Sequence, residues 1–330
     1  MTAAANNPPL QRGSIRGRTL GVCLLAAALG WVYLQPSGAL LGRLRGEPFF
    51  VGYPSSYWSQ QLNSGPGSRS RAREQLHAGG REAVPVLIRL LTVTPDGTPS
   101  SPRVRWIVAE LLGMIGPDAN DASAVLIAAL EDSDSHVQGV AAFSIPQVQT
   151  PASDAVPPLT RLLQTQHVVP ATRALSEYRG EAHSALNDLL VILQDEQRPT
   201  EDRWNAARTI GKLGPAGIDS LPVLIELTSD SEATIREHCA EAIGDIGPTA
   251  CAGIPALIDC LDDPATRVRR DSVRSLGYIG KEARLAIPQM LTLLTDREEL
   301  VRHATKEALR TIAPEELQKW EASRKQDKGS

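Results

Sequence analysis

The sequence predicts an all-α protein: a right-handed solenoid of stacked helix pairs, an α-α superhelix of about eight units, preceded by one transmembrane or signal helix. Three observations predict it. A block of 33 residues recurs, as DSEATIREHCAEAIGDIGPTACAGIPALIDCLD from Asp230, DPATRVRRDSVRSLGYIGKEARLAIPQMLTLLT from Asp263 and DREELVRHATKEALRTIAPEELQKW from Asp296. Hydrophobic residues make up 42% of the chain but aromatics only 4%, which suits helices packed through Ala, Leu, Ile and Val. Residues 19–34, TLGVCLLAAALGWVYL, carry no charge and follow Arg12, Arg16 and Arg18.

Taken in chain order, residues 1–18 are a basic stretch. Residues 19–42 are the candidate signal-anchor helix. The sixteen uncharged residues are slightly short for a span of about 20, and QPSGALLG extends them into the spanning range. Trp31 and Tyr33 sit where an interfacial aromatic belt would lie. A cleaved signal peptide, with Ser37 and Ala39 as the small residues at the cut, and a buried array helix are the other readings. The positive-inside bias puts residues 1–18 in the cytoplasm and the repeats outside a cell inner membrane, as a single-pass protein, although Arg43 and Arg45 lie on the far side. Residues 43–56 form a Pro/Gly-rich linker.

Residues 57–320 are the array, divided at roughly 57–92, 103–132, 133–165, 166–197, 198–230, 231–263, 264–296 and 297–320. Each unit is expected to hold two helices. Asp263 with Pro264 predicts an N-cap followed by proline at N1, and Asp296 with Glu299 a capping box. Ile235, Cys239, Ile243 and Ile246 share one helical face. Gly214-Pro215 and Gly247-Pro248 stop the first helix. The second starts near Pro222, Pro255 or Pro288, where a missing N–H costs nothing. Residues 93–102 insert a loop. The third and fourth units are degenerate: Pro146 replaces the glycine of Gly113 and Gly244, and Gln138 and Ala171 replace the arginine. Proline there predicts an early helix end and a local bend. Residues 321–330 are a polar tail, expected to be disordered.

The recurring pattern D-x5-R-x6-L-G-x-I-G-P, a short turn, then I-P-x-L-I-x-L resembles bacterial HEAT repeats, and is most like the short type of phycobilisome lyases. The resemblance covers about 80% of the chain and is strongest in residues 198–312. GYPSSYW, from Gly52 to Trp58, is similar to the entry of anchored HEAT-repeat proteins of environmental bacteria. The resemblance implies that Asp230, Asp263 and Asp296 pair with Arg203, Arg236, Arg269 and Arg302 in a ladder joining neighbouring repeats. Loss of one partner from a partly buried pair would then cost about 1–3 kcal/mol.

The chemistry the sequence offers is sparse. No P-loop, nucleophile elbow, H-E-x-x-H or C-x-x-C pattern is present. Deoxyhypusine hydroxylase, built on this fold, holds iron through His-Glu dipeptides. None of the six histidines here is followed by Glu. Cys239, Cys251 and Cys260 are expected as small core residues, with a Cys239–Cys251 bridge as the alternative. Residues 1–45 hold five arginines and no acid, so residues 46–330 carry −9 of the chain's −4 by difference. Such an array does not attract a phosphate backbone, which argues against nucleic acid.

The expected function is therefore a non-catalytic scaffold with protein partners, held at the membrane, with no catalytic, cofactor or metal residues. A chromophore lyase or similar accessory enzyme is the alternative. Candidate partner-binding residues are Trp106 and Trp204, each directly after the arginine of its unit. A groove-side column, four residues after each repeat proline, adds Arg89, Arg161, Glu226, Asp259 and Thr292.

Overall fold

The structure, a computed structural model, describes residues 38–92 and 100–327, which fall into two bodies divided after Leu111. The N-terminal basic stretch, Cys23 and residues 19–37 of the expected anchor lie outside the described residues. Among the described residues, no helix is long and apolar enough to cross a membrane.

The first body opens with α1 (Ala39–Leu44), whose N-cap Gly38 is left-handed at φ 59°. Residues 39–42 are thus not the tail of a continuous spanning helix. A Cβ on Gly42 would lie 2.5 Å from Pro54 Cβ, so α1 is packed on the folded chain. Residues 43–56 are not a plain linker either. They hold β1 (Phe49–Phe50) and β2 (Tyr53–Pro54), an antiparallel hairpin turning at Val51 and Gly52, both at positive φ. Glu47 then accepts the Ser56 N–H at 2.8 Å and the Ser55 hydroxyl at 3.0 Å, which satisfies the entry to α2 (Ser55–Asn63). The first unit therefore has three helices rather than two. Gly65-Pro66 breaks its leading stretch and starts α3 (Pro66–Ala78), with proline at N1, before α4 (Val84–Thr92). Trp58, Leu62, Leu76, Leu87 and Leu90 fill the core between them. Burial of each contributes about 1.5–3 kcal/mol.

Helix α5 (Pro102–Ile115) runs from the first body into the second, and α6 (Ser123–Ala128) follows it in the chain. The degenerate units follow, with α7 (Ser135–Gln147) and α8 (Ala152–Leu162), then α9 (Val168–Glu177) and α10 (Leu186–Gln194). The regular units pair α11 (Thr200–Lys212) with α12 (Leu221–Leu227), α13 (Ala233–Ile246) with α14 (Ile254–Asp259), and α15 (Thr266–Ile279) with α16 (Ile287–Leu293). Last come α17 (Glu299–Ile312) and α18 (Pro314–Asp327). Residues 321–327, expected as disordered tail, continue that helix. Pro314 opens it, Glu315 and Glu316 suit its N-terminal dipole, and buried Leu317 fixes it.

Within the second body the first helices α7, α9, α11, α13, α15 and α17 pack on one another in succession, and short 3₁₀ turns lead from α9, α11, α13 and α15 to their second helices. Left-handed Gly214, Gly247 and Gly280 end the regular first helices, at φ 60°, 88° and 89°. In the degenerate units Gln149 and Arg179 are the residues at positive φ, at 58° and 51°. Pro146 does not end α7 early. It lies in the last turn, and the chain closes with Val148 N–H to Ser144 O and Thr150 N–H to Ile145 O.

The Asp column does not cap the first helices. Helix α15 begins at Thr266, and Asp263 instead accepts the N–H of Ala265 at 2.8 Å. Asp230 and Asp296 likewise accept from Glu232 and Glu298, so neither an N-cap nor a capping box forms. An Asp side chain reaching two residues ahead makes an Asx turn, which competes with capping. Asp134 alone of the aspartates at these helix starts caps in the expected sense, accepting from His136 and Val137 N–H.

Candidate functional site

The aspartates set by these turns meet arginines from the preceding unit. Arg203 Nη2 lies 2.6 Å from Asp230 Oδ2. Arg236 grips Asp263 through Nε at 2.7 Å and Nη2 at 3.1 Å, and Arg269 grips Asp296 at 3.0 and 3.1 Å. The third guanidinium nitrogen donates to carbonyls of its own unit: Arg236 to Asp230 and Ser231, Arg269 to Asp263 and Pro264. Arg302 makes the same contacts, to Asp296 and Arg297. Position 329, where its aspartate would stand, is glycine. These groups are spent largely on one another, so the ladder joins neighbouring repeats. Gln138 keeps half of the pattern, donating to Asp132 O at 2.6 Å. Ser135, His167 and Gln166 supply a different link between the degenerate units.

Two ladder carboxyls carry a pH signature. Burial alone would raise Asp263. The Arg236 hydrogen bonds, the Ala265 N–H and the Arg236 and Arg269 charges outweigh it and hold the carboxyl below its usual range. Asp296 is likewise raised by burial but lowered further by Arg269, the Glu298 N–H and Arg297. A carboxyl lowered in the fold adds stability above its unfolded pKa of about 4 and loses it as pH falls through the folded value. Glu237 runs the other way, since burial raises it. We expect urea stability to fall on acidification below about pH 4, and Asp296→Asn to flatten that limb while lowering stability at pH 7. An Asp296→Asn protein with the wild-type acid slope would remove this carboxyl from the account.

The candidate partner-binding residues are not brought into one site. Arg161, Glu226, Asp259 and Thr292 stand exposed on second helices, with Arg161 4.0 Å from Glu131. Arg89 is half-buried on α4 in the first body. Trp106 and Trp204 are on first helices instead, and both are half-buried. The Arg73 guanidinium lies 5.9 Å from the Trp106 ring centre and pairs with Glu110 at 2.7 Å. Trp204 stacks on His238 of the next unit, centroids 4.9 Å apart at 24°, and His238 Nδ1 is 3.1 Å from Glu241. Trp204 thus covers its neighbour rather than projecting as an anchor.

Two hollows on the first-helix side were not read from the sequence. One, of about 310 Å³, lies among α7, α9 and α11 and includes Phe143, Pro146, Arg173 and Arg208. Pro146, which stands in the glycine column of the sequence, is part of its lining. The other, of about 410 Å³, lies between α15 and α17, beside Tyr278, Leu300 and His303. Cys239 and Cys260 are buried as expected. Cys251 is exposed and free, so the expectation fails there and no Cys239–Cys251 bridge forms. Its place on the 3₁₀ turn Pro248–Gly253 puts it outside the packed faces. No group of three or more His, Cys, Asp or Glu among the described residues is placed to hold a metal ion.

The fold has solved counterparts. Importin beta, crystallised in an ammonium sulfate condition, matches 78% of this chain with a TM-score of 0.53 and 15% identity. Kap121p bound to Nup53p matches 78% with a TM-score of 0.56 and 12% identity. The chain spans 40% and 33% of those two chains. The likeness shows the fold alone, an all-α helical-repeat solenoid resembling those of importin beta and Kap121p. No family model matches the chain, and no curated protein matches it either.

Proposed function

We propose that this chain is a non-catalytic HEAT-repeat scaffold of the short, phycobilisome-lyase-like repeat type. It is tethered to a bacterial inner membrane by its N-terminal segment and presents the repeats to protein partners on the extracytoplasmic side. The observation that carries this reading is the use of the chain's best-placed charged groups. Arg203, Arg236 and Arg269 are saturated by Asp230, Asp263, Asp296 and backbone carbonyls. Besides the two first-helix hollows, a broad row lies exposed on the second helices, with Arg161, Glu226, Asp259 and Thr292 separated by whole repeats. Such a surface suits a large partner better than a small substrate. That Kap121p is solved bound to Nup53p agrees with protein recognition by this architecture.

The test is purification of the tagged full-length protein from native membranes in mild detergent, with mass spectrometry and an absorption spectrum of the eluate. A recurring stoichiometric protein in a colourless sample supports the scaffold. A bound chromophore without such a partner replaces it with the lyase reading. A reporter fused after residue 330 that is active only in the cytoplasm would reverse the topology.

A further inference from the structure

We propose that α1 and the β1–β2 tip form a membrane seat, in which Leu40, Leu44, Val51 and Tyr53 rest in the headgroup region of an anionic bilayer. The proposal rests on the membrane-tethered reading above and adds a second contact to it. The exposed large hydrophobic residues of the first body, among those described, are these four alone. They are 41%, 76%, 69% and 36% exposed and fall within residues 40–53. Exposed apolar side chains scattered singly need no cause, but four within so short a stretch do.

The geometry of α1 is inside out. Gly42 is its buried residue, set against Pro54 and Phe49. Leu40 and Leu44 lie two residues to either side, about 200° around the helix, so both emerge on the face turned away from the protein. A helix docked on a body in water normally turns polar residues outward.

The hairpin tip repeats the anomaly. A two-residue turn with both residues at positive φ favours Asn-Gly or Asp-Gly. Here the first is Val51, β-branched, at φ 49°. Valine there is disfavoured twice, by backbone conformation and by exposure. A hydrocarbon boundary relieves the second cost.

Charge selects the lipid. Arg43 and Arg45 are exposed beside the leucines, and no acid occurs before Glu47, itself buried. The Arg43 guanidinium lies 5.9 Å from the Phe49 ring centre. Arginines flanking an apolar edge can lay their stems along it and reach lipid phosphates. The uncharged run of residues 19–34 ends four residues before Gly38, so a tether there delivers this face to the bilayer.

The experiment uses the full-length protein in phosphatidylglycerol vesicles, with an environment-sensitive fluorophore on single cysteines. Cys23 and Cys251 are replaced by serine, and Leu44→Cys, Val51→Cys or Leu285→Cys is added in turn. Leu285, 78% exposed in the second body, is the control. Cys239 and Cys260 stay unlabelled because burial hides them and pushes their thiols up. A protein labelled at native Cys23 reports the tether. The expected result is lipid-borne quenching at positions 44 and 51 at least threefold stronger than at 285, and weaker in phosphatidylcholine vesicles. Quenching at Cys23 without excess quenching at 44 and 51 overturns the seat and leaves the tether standing. Blue-shifted emission at 44 and 51 without lipid quenching also overturns it, since protein then covers the face. No quenching at any position removes the tether and the seat together.

Discussion

Arg269→Ala lowers the stability of the second body by about 3–5 kcal/mol, more than its sequence column alone implied. Arg269 is 6% exposed, and its guanidinium holds Asp296 through two nitrogens, while the third holds the carbonyls of Asp263 and Pro264. Truncation leaves a carboxylate and two carbonyls short of a donor in a site that water reaches poorly. The cost is that of an uncompensated buried charge rather than of one surface ion pair, which would be about 0–1 kcal/mol. Arg302→Ala is the internal control. Its guanidinium is half-buried and donates to the Asp296 and Arg297 carbonyls, so a loss of about 1 kcal/mol is expected. Arg269→Lys should not rescue, because a single ammonium cannot reproduce the fork. Urea unfolding followed by circular dichroism measures all three. Equal midpoints for Arg269→Ala and wild type would show that the repeats do not depend on this rung.

The Asp and Arg columns were legible because their charges recur at a fixed step of 33, and that they pair as a ladder was what the HEAT resemblance implied. The role of the aspartate beyond its charge was not legible. In sequence, Asp263 followed by Pro264 looks like a cap and its proline, yet the helix starts at Thr266. An Asx turn and an N-cap use the same residue types, and only the backbone distinguishes them. Two described segments, residues 43–56 and 321–327, differ from their expected state for a related reason. They have the polar or Gly/Pro-rich composition of linkers and tails. Buried anchors, Phe50 in one and Leu317 just before the other, fold them all the same. The candidate partner residues stay scattered because surface positions carry no periodic constraint. Trp204 was visible as a surface aromatic, but its companion His238 lies in the next repeat, a pairing no local pattern reports.

The glycine column was visible in the sequence, but its cause lies one repeat away. An alanine Cβ at Gly244 would stand 2.6 Å from both Cα and Cβ of Ser275 on the neighbouring first helix. By helix propensity alone Gly→Ala inside α13 should stabilise by about 1 kcal/mol. Here the obstacle includes backbone, which cannot rotate away as a flexible side chain would. Helices α13 and α15 must separate, at a cost of about 1–3 kcal/mol for overpacking. Ser275, 1% exposed, donates to Ala240 O at 2.7 Å, and displacing that hydroxyl adds about 1 kcal/mol. We expect Gly244→Ala to lose about 1–3 kcal/mol net, reversing the sign that propensity sets. Gly277 gives the contrast. Its added Cβ would meet Ala308 Cβ and Cα at 3.1 and 3.2 Å, a few tenths of an ångström too close, so propensity and crowding nearly cancel. Thermal unfolding of the two variants therefore separates two explanations of the column. If both are stabilised alike, the glycines are neutral in packing and the helix spacing is set elsewhere, by the Arg–Asp rungs. If Gly244→Ala alone falls, close approach at Ser275 sets the distance between these units, and the rungs form at a spacing that packing has already fixed.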